Sequence, residues 1–269
     1  MISIKEIQSA SSNLNNIILS TPLNLIDTYS NKYSSYVYVK REDLQVTRSF
    51  KIRGSFNKIS SLSLKEKQKG IVCSSAGNHA QGVSLSCNKL KIKGTVFMPN
   101  TTPSIKVKKV REFGGEFITI KLIGDSYDDC YKEAIGYCNK NKKTFIHPFD
   151  DEKVIAGQGS LAYEIFKELN DTIDYLFIPI GGGGLVSGFI SVFKQLSPKT
   201  KIIGVEPTGA ASMYESLKNN KLIKLKKIDT FVDGAAVKKS GKIAFDLCKK
   251  YLDGIILVPE GYICQTILD

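Results

Sequence analysis

Four consecutive glycines stand where an apolar segment gives way to a helical pattern. The segment covers residues 175–180, and the pattern begins at Leu185. The glycines are Gly181, Gly182, Gly183 and Gly184. Because they have no side chains, their backbone N–H groups can approach an anion closely, and a helix N-terminus adds partial positive charge. The junction therefore predicts a phosphate site, and the alternative is a tight turn without a ligand.

Two common kinds of phosphate loop do not match this junction. A Walker A loop needs Gly-Lys-Ser/Thr, but here Gly188 is followed by Phe189. The Gly-x-Gly-x-x-Gly pattern of dinucleotide sites would need its third glycine at Val186 or Ser187. Glu206 ends the next strand-like segment, where an acid can bind a ribose, so a nicotinamide dinucleotide stays open as an alternative. A small single phosphate fits the junction better.

Lys51 is the candidate nucleophile. It stands near the start of a helical pattern that runs to about Ile59. The helix dipole opposes a positive charge at that end, which favours the neutral amine. A neutral, desolvated amine is what Schiff-base chemistry with a carbonyl compound requires. The alternative is a solvated surface lysine, one of many in this chain.

A second polar loop follows the apolar segment 71–73 and leads into a helical pattern. It contains Ser74, Ser75, Gly77, Asn78 and His79. Small hydroxyls, a glycine and an amide at such a junction predict a cradle for a carboxylate. The alternatives are that Asn78 only caps the helix and that His79 only orients the loop.

These loops lie in a chain of alternating strand-like and helix-like segments. The strand-like segments are residues 36–40, 71–73, 95–98, 117–120, 175–180, 202–205 and 255–258. They are continuously apolar, which favours sheets covered on both faces. The helical patterns open at Pro103 as the first helical residue, after Ser126, at Val154 and at Leu185. The alternation predicts an α/β fold with mostly parallel sheets and ligands beyond the carboxyl ends of the strands.

Composition excludes several classes of protein. The chain has 269 residues, 42% apolar and 24% charged, which suits one large α/β domain or two small ones and argues against a disordered or fibrous protein. Apolar stretches are too short for a membrane span, and no signal peptide pattern opens the chain. Six cysteines without a Cys-x-x-Cys pair and only two histidines predict reduced thiols in the cytoplasm and no structural zinc.

The formal charge of +12 does not predict nucleic-acid binding. The lysines are spread along the whole chain, there is no Trp, and few aromatic residues stand among them. Nucleic-acid binders instead combine clustered charge with stacking aromatics or zinc-finger spacing. We therefore expect a solvated, lysine-rich surface.

The loops together resemble those of the pyridoxal-phosphate threonine deaminases and their serine dehydratase and serine racemase relatives. The resemblance covers nearly the whole chain in family order. It is carried by residues 40–44, 49–54, 74–82, 102–107, 154–159, 181–185 and 204–207. It implies the tryptophan-synthase-β-like fold, with two interleaved α/β domains of mostly parallel, twisted sheets. Residues 1–40 plus 146–269 would form the large cofactor-binding domain, and residues 41–145 the small one.

The resemblance also assigns roles by position. Lys51 corresponds to the lysine that binds pyridoxal phosphate as a Schiff base, and Phe50 to the residue packed beside the cofactor. Asn78 corresponds to the residue that hydrogen-bonds the ring hydroxyl. The substrate carboxylate would lie at Ser75, Gly77 and His79. The phosphate cup would be Gly181, Gly182, Gly183, Gly184 and the amide of Leu185.

Three positions distinguish this chain among the relatives. Racemase members carry a serine before Gly-Asn-His that supplies a second proton, whereas this chain has Ala76, which favours elimination. Metal-binding members have carboxylates after the Glu-Pro segment; here Ala210, Ala211 and Ser212 follow, so we expect no required metal. The cysteine synthase branch has an Asp after its lysine, whereas Ile52-Arg53-Gly54 follows Lys51 here, which fits the dehydratases.

The implied activity is deamination of L-threonine to 2-oxobutanoate and ammonia, in isoleucine biosynthesis or threonine catabolism. Lys51 would take the Cα proton while the cofactor delocalises the negative charge. L-Serine stays open as a second substrate. The implied protein is a cytoplasmic homo-oligomer that uses pyridoxal 5'-phosphate and binds neither nucleic acid nor membranes.

The end of the chain departs from the resembled family. Residues 264–269 lie within a helical pattern, whereas family members continue through a Glu-Pro-Ser/Thr-Gly-Ala segment and a Ser-Gly-Gly-Asn segment. We therefore expect a C-terminally truncated chain with exposed apolar core surface. A non-catalytic remnant, a fragment, and a form completed by a partner chain are the alternatives to an active enzyme.

Overall fold

The computed structural model of the protein describes residues 1–169 and 173–268. In this part of the chain the helices are α1 (Ile4–Asn13), α2 (Asp27–Tyr33), α3 (Lys51–Ser60), α4 (Leu64–Lys69), α5 (Asn78–Leu90), α6 (Ser104–Gly114), α7 (Tyr127–Lys140), α8 (Glu152–Glu168), α9 (Gly184–Leu196), α10 (Ser212–Lys218), α11 (Lys242–Tyr251) and α12 (Glu260–Leu268). The strands are β1 (Leu23–Leu25), β2 (Tyr38–Lys40), β3 (Ile71–Ser74), β4 (Gly94–Met98), β5 (Ile118–Leu122), β6 (Thr144–Phe145), β7 (Tyr175–Pro179), β8 (Lys201–Pro207) and β9 (Gly254–Val258).

The first parallel sheet has the strand order β5-β4-β3-β6. All of β3 and β4 is buried, so these continuously apolar strands are covered on both faces as expected. Val72 of β3 pairs with Phe145 of β6, and Cys73 pairs with Val96 of β4. Because β3 and β6 are parallel neighbours, the loops that follow them emerge side by side.

The second parallel sheet has the order β7-β8-β9. One of its faces packs into the largest apolar core together with α8, α9 and α11, and Ile178 and Ile202 are buried there. The opposite face is open in the described part of the chain: Tyr175 and Phe177 are each 60% exposed, and Ile256 is 46% exposed. The expectation of a sheet covered on both faces is therefore wrong for this sheet, since the side chains on this face meet no helix layer in the described residues.

Three helices connect the two sheets through close glycine contacts. A Cβ on Gly157 of α8 would lie 2.6 Å from the Cα of Gly54 on α3, and one on Gly188 of α9 would lie 2.6 Å from the N of Gly159 on α8. Backbones can approach this closely only where side chains are absent. Helix α8 therefore sets the position of α3, which begins at Lys51, relative to α9, which begins at Gly184.

A buried ionic network fixes α3 against α8. The guanidinium of Arg53 is fully buried and donates to both carboxylate oxygens of Glu42 at 2.8 and 2.9 Å. It also donates to both oxygens of Glu164 on α8 at 2.6 and 3.0 Å. Such paired bonds satisfy a charge that would otherwise be costly to bury. Hydrogen bonds from both carboxylates raise the pKa of Arg53 against the effect of burial, so it stays charged.

The predicted elements are confirmed with small shifts. Helix α6 begins at Ser104, so Pro103 precedes the helix rather than being its first residue. The strand expected over 36–40 covers only Tyr38–Lys40 and pairs antiparallel with Leu23–Leu25, a strand that the sequence pattern did not reveal. The two larger sheets are parallel, as predicted. The domain boundaries near residues 40 and 145 stay a prediction.

No helix in the described residues is long and apolar enough to cross a membrane.

Candidate active site

Lys51 is the first residue of α3, and its amine is not at the surface. The residue is half-buried, and its Nζ donates to the carbonyl oxygen of Pro148 at 3.1 Å. The Nζ lies 5.4 Å from the centre of the Phe50 ring. Burial lowers the pKa of Lys51 from 10.5 to about 8 because the ammonium ion loses hydration. This is the neutral, nucleophilic amine that the sequence predicted, with burial as its physical cause.

The glycine turn presents free backbone amides. Gly183 has φ +89°, a left-handed conformation that favours glycine, and it precedes the first residue of α9. The amide of Ser187 makes the first helical hydrogen bond, to the Gly183 carbonyl oxygen at 3.0 Å. The amides of Gly184, Leu185 and Val186 therefore have no acceptor within the helix. Three such amides at a helix N-terminus form a site for an anion.

Phe149 lies directly against this turn. A Cβ built on Gly182 would overlap the Phe149 ring, and one on Gly184 would lie 3.0 Å from the Phe149 Cα. Glycine is therefore needed at 182 unless the ring moves. Phe149 also follows Pro148, whose carbonyl oxygen accepts from Lys51. The predicted nucleophile and the predicted phosphate turn thus contact two adjacent residues.

The sequence analysis missed the segment 146–150 that makes these contacts. It follows β6, a strand of only two residues, which is too short to give a hydrophobic pattern. The available signal was Pro148, two residues before Asp150 and Asp151, because a proline after an apolar segment marks a turn or loop. Strand pairing between β3 and β6 then places this segment beside the loop after β3.

Two hydrogen bonds fix the conformation of the loop after β3. The Ser75 N–H donates to the Phe97 carbonyl oxygen at 3.0 Å, and the Gly77 N–H donates to the Ser75 Oγ at 3.2 Å. Gly77 is the residue before α5 and Asn78 is the first residue of the helix, so Asn78 is not the helix cap. The Asn78 side chain is exposed, and a Cβ on Gly77 would meet nothing within 4 Å. This side of the loop is open to a ligand.

Both histidines of the chain lie at the site and are neutral near pH 7. His79 is buried, with Nε2 3.0 Å from the Ile146 carbonyl oxygen. Burial, aided by the positive charge of Lys51, lowers the pKa of His79 to about 3. Burial also lowers the pKa of His147, whose Nδ1 accepts from the Asp150 N–H at 2.8 Å. A neutral His79 whose Nε2 donates to Ile146 orients the loop, and a contact with a substrate carboxylate stays a prediction.

Comparison with known proteins covers nearly the whole chain, including the residues of the site. Residues 14–269 match the family described as "Pyridoxal-phosphate dependent enzyme". The chain belongs to this family. It is 54% identical over 268 residues to the biosynthetic L-threonine dehydratase IlvA of Halalkalibacterium halodurans. That match covers all of this chain but 65% of the relative, so the chain spans a little under two thirds of the relative's length.

Solved structures agree with the fold. The processed form of threonine deaminase isoform 2 from Solanum lycopersicum matches with a TM-score of 0.88 and 40% identity, over 96% of this chain and 78% of that chain. Maize serine racemase matches with a TM-score of 0.94 and 27% identity, over 99% of this chain and 80% of that chain. The resemblance to threonine deaminases, the tryptophan-synthase-β-like α/β fold and pyridoxal phosphate as the cofactor of the family are confirmed.

The residues at the site fit pyridoxal phosphate. The buried amine of Lys51 suits its aldehyde, and the free amides at the start of α9 suit its phosphate. The exposed amide of Asn78 stands on the open side of the adjacent loop. The individual roles of Lys51, Phe50, Asn78 and the glycine turn stay predictions, and the geometry is compatible with each of them.

The nicotinamide alternative is wrong. It needed Glu206 to reach a ribose, but Glu206 is fully buried and its carboxylate oxygens accept from the backbone amides of Met213 and Tyr214 at 2.9 and 2.7 Å. Among the described residues, no group of three or more His, Cys, Asp or Glu side chains could hold a metal ion. The expectation that no metal is required stays a prediction.

Proposed function

We propose that this protein belongs to an L-threonine ammonia-lyase that uses pyridoxal phosphate and forms 2-oxobutanoate and ammonia. The observation that carries the proposal is that the buried Lys51 amine and the glycine turn contact adjacent residues, Pro148 and Phe149. The 54% identity to a biosynthetic threonine dehydratase supports threonine as the substrate. Because the chain spans 65% of that relative, the activity is a proposal for the whole enzyme.

Lys51 has two tasks in this proposal. Its amine would hold the cofactor through the aldehyde, and as a free amine it would take the Cα proton of the substrate. With a pKa of about 8, Lys51 is half neutral at pH 8, whereas an ordinary lysine with a pKa of 10.5 is almost entirely charged. When bound, pyridoxal phosphate supplies an electron sink for the charge left on Cα. Phe50, whose ring centre lies 5.4 Å from the Lys51 Nζ, would pack beside the cofactor.

The other site residues bind and orient. The amides of Gly184, Leu185 and Val186 hold the cofactor phosphate, and Phe149 closes the turn from the side. Asn78 hydrogen-bonds the ring hydroxyl from the start of α5. The loop of Ser75 and Gly77 receives the substrate carboxylate. His79 keeps this loop against the segment that contacts Lys51, through its bond to Ile146.

Elimination is favoured over racemisation at this site. Removal of the Cα proton by Lys51 acts on one face of Cα, and racemisation needs a proton donor on the other face. The resemblance places that donor where this chain has Ala76, which carries no proton that it can transfer. The structural match to a serine racemase therefore supports the fold rather than racemase activity.

Replacement of Lys51 tests the proposal. Lys51→Ala should lose the visible absorbance of covalently bound pyridoxal phosphate and the release of 2-oxobutanoate from threonine. Lys65→Ala, an equal change at an exposed lysine of α4, is the control and should keep both. Spectra and product assays on the same preparations give the two readouts.

The outcomes also separate the alternatives. Wild-type protein that binds the cofactor without turnover would indicate a non-catalytic remnant or a form completed by a partner chain. Protein with neither bound cofactor nor cooperative unfolding would indicate a fragment. A Lys51→Ala protein that keeps the visible absorbance would disprove the assignment of Lys51.

A homo-oligomer and a cytoplasmic location complete the proposal. All six cysteines are free, and five of them are buried, which supports a reducing compartment. Light scattering of the purified chain measures the oligomeric state, and fractionation of the source cells measures the location.

A further inference from the structure

Glu206 is a buried carboxylate to which the proposed reaction gives no task. It lies in β8, one residue before the end of the strand, and is fully buried. Its Oε1 accepts from the Met213 N–H at 2.9 Å, and its Oε2 accepts from the Tyr214 N–H at 2.7 Å. Burial raises the pKa of Glu206 to about 7, and the two amide bonds oppose this rise. A buried carboxylate is costly unless such bonds compensate it, so its place in this core needs a reason.

The residues that Glu206 holds lie directly behind the glycine turn. Met213 is fully buried, and its Cε is 3.3 Å from the place where a Cβ on Gly183 would stand. The Cβ of Ala244 is 2.5 Å from the same place. Met213 and Ala244 therefore form the wall against which the left-handed Gly183 rests.

A second set of bonds joins the same wall to the turn. The Oγ of Ser212 lies 2.9 Å from the Oγ of Ser240, and Ser240 donates to the Gly181 carbonyl oxygen at 3.4 Å. The Gly241 N–H donates to the Gly182 carbonyl oxygen at 2.9 Å. The turn is thus held from behind by two short segments. Glu206 fixes the segment that contains Met213, and the Asp150 carboxylate accepts from the N–H groups of Lys242 and Ile243, directly after Gly241, at 2.9 Å each.

A carboxylate can do here what an apolar side chain cannot. Its two oxygens make directional bonds to two successive amides, so they fix the start of α10 in position and rotation. An apolar residue at position 206 makes no such bonds, so it would allow Met213 to occupy several positions. A displacement of the wall would be passed to Gly183, because close-packed interiors transmit strain.

We propose that Glu206 is a positioning residue for the phosphate turn, which it holds in shape through Met213. The proposal rests on the proposed role of the turn in binding the cofactor phosphate. Glu206 itself is buried behind the turn, where its two carboxylate oxygens bond to backbone amides. It acts on cofactor affinity by keeping the amides that follow Gly183 aimed at one point.

The test uses the full chain and measures the dissociation constant of pyridoxal phosphate by absorbance titration, together with the midpoint of thermal unfolding. Glu206→Gln keeps one oxygen acceptor and loses the other, and it should weaken cofactor binding about tenfold, as expected for loss of a charged hydrogen bond. Met213→Ala should weaken binding by a similar factor, and Met213→Leu should restore most of it. Because both changes act on the same wall, the variant that carries both should bind pyridoxal phosphate no more weakly than the single variant with the lower affinity.

Ile202→Val is the matched control for general destabilisation. It removes one buried methyl from the same strand, at its far end from the turn. It should lower the unfolding midpoint and leave the dissociation constant unchanged. Equal cofactor affinity in wild type, Glu206→Gln and Met213→Ala, with lowered midpoints alone, would show that Glu206 only stabilises the fold. Wild-type protein that fails to bind pyridoxal phosphate would instead refute the proposed function.

Discussion

Replacement of Gly182 by alanine tests whether Phe149 shapes the phosphate turn. The new Cβ would stand closer than 3.0 Å to three carbons of the Phe149 ring, a distance that real Cβ atoms essentially never show. Either the ring or the turn must move. Overpacking of this kind costs about 1 to 3 kcal/mol. If the turn moves, this energy is taken from cofactor binding, and the dissociation constant rises between about 5-fold and 150-fold.

The assay is the same absorbance titration with pyridoxal phosphate, with Gly136→Ala as the control. Gly136 is exposed within α7, and a Cβ there would meet nothing within 4 Å. This change should leave cofactor binding unchanged and raise stability by about 0.5 to 1 kcal/mol, since alanine favours the helix.

A second variant identifies the cause. Phe149→Ala alone opens the side of the turn and should weaken binding moderately. Added to Gly182→Ala, it removes the overlap, so the double variant should bind more tightly than Gly182→Ala alone. Unchanged affinity in Gly182→Ala, or a double variant whose losses simply add, would refute the argument that the ring and the turn are matched in shape.

Three further predictions concern the stability of the buried ionic network, the pKa of Lys51 and the proton donor needed for racemisation. Arg53→Met leaves two carboxylates without their buried partner and should lower the free energy of unfolding in urea by about 3 to 5 kcal/mol. Arg41→Met, at an exposed pair, is the control and should change it far less. The pKa of Lys51 is about 8 in the folded protein and 10.5 ordinarily, so the unfolded chain binds more protons between these values, and the stability of the cofactor-free protein should rise from pH 8 to pH 10.5. Urea titrations at several pH values measure this rise, and Lys51→Met should flatten it. An equal slope in both proteins would contradict the assignment. Ala76→Ser should add detectable D-serine formation from L-serine, measured by chiral chromatography, and its absence would show that a hydroxyl at this position is not enough for racemisation.

The sequence alone determined the local features of the site. A glycine run between an apolar strand and a helical pattern can be recognised from a few residues, and so can the lysine at the start of α3. These signals are short in sequence because backbone conformation and periodicity are set by neighbouring residues. The alternation of elements likewise predicted parallel sheets, and the order of the motifs indicated the family.

The tertiary structure decided what these local features contact. The segment with Pro148 and Phe149 reaches Lys51 and Gly182 because β6 pairs with β3. A strand of two residues has no periodicity from which this pairing could be predicted. The open face of the second sheet also could not be predicted, because apolar strands look alike whether or not a helix layer covers them. Glu206 was interpreted from its sequence position as a possible ribose ligand, and only packing showed that both its oxygens are taken by backbone amides. Contacts between residues far apart in the chain depend on strand order and helix packing, and these are properties of the whole fold.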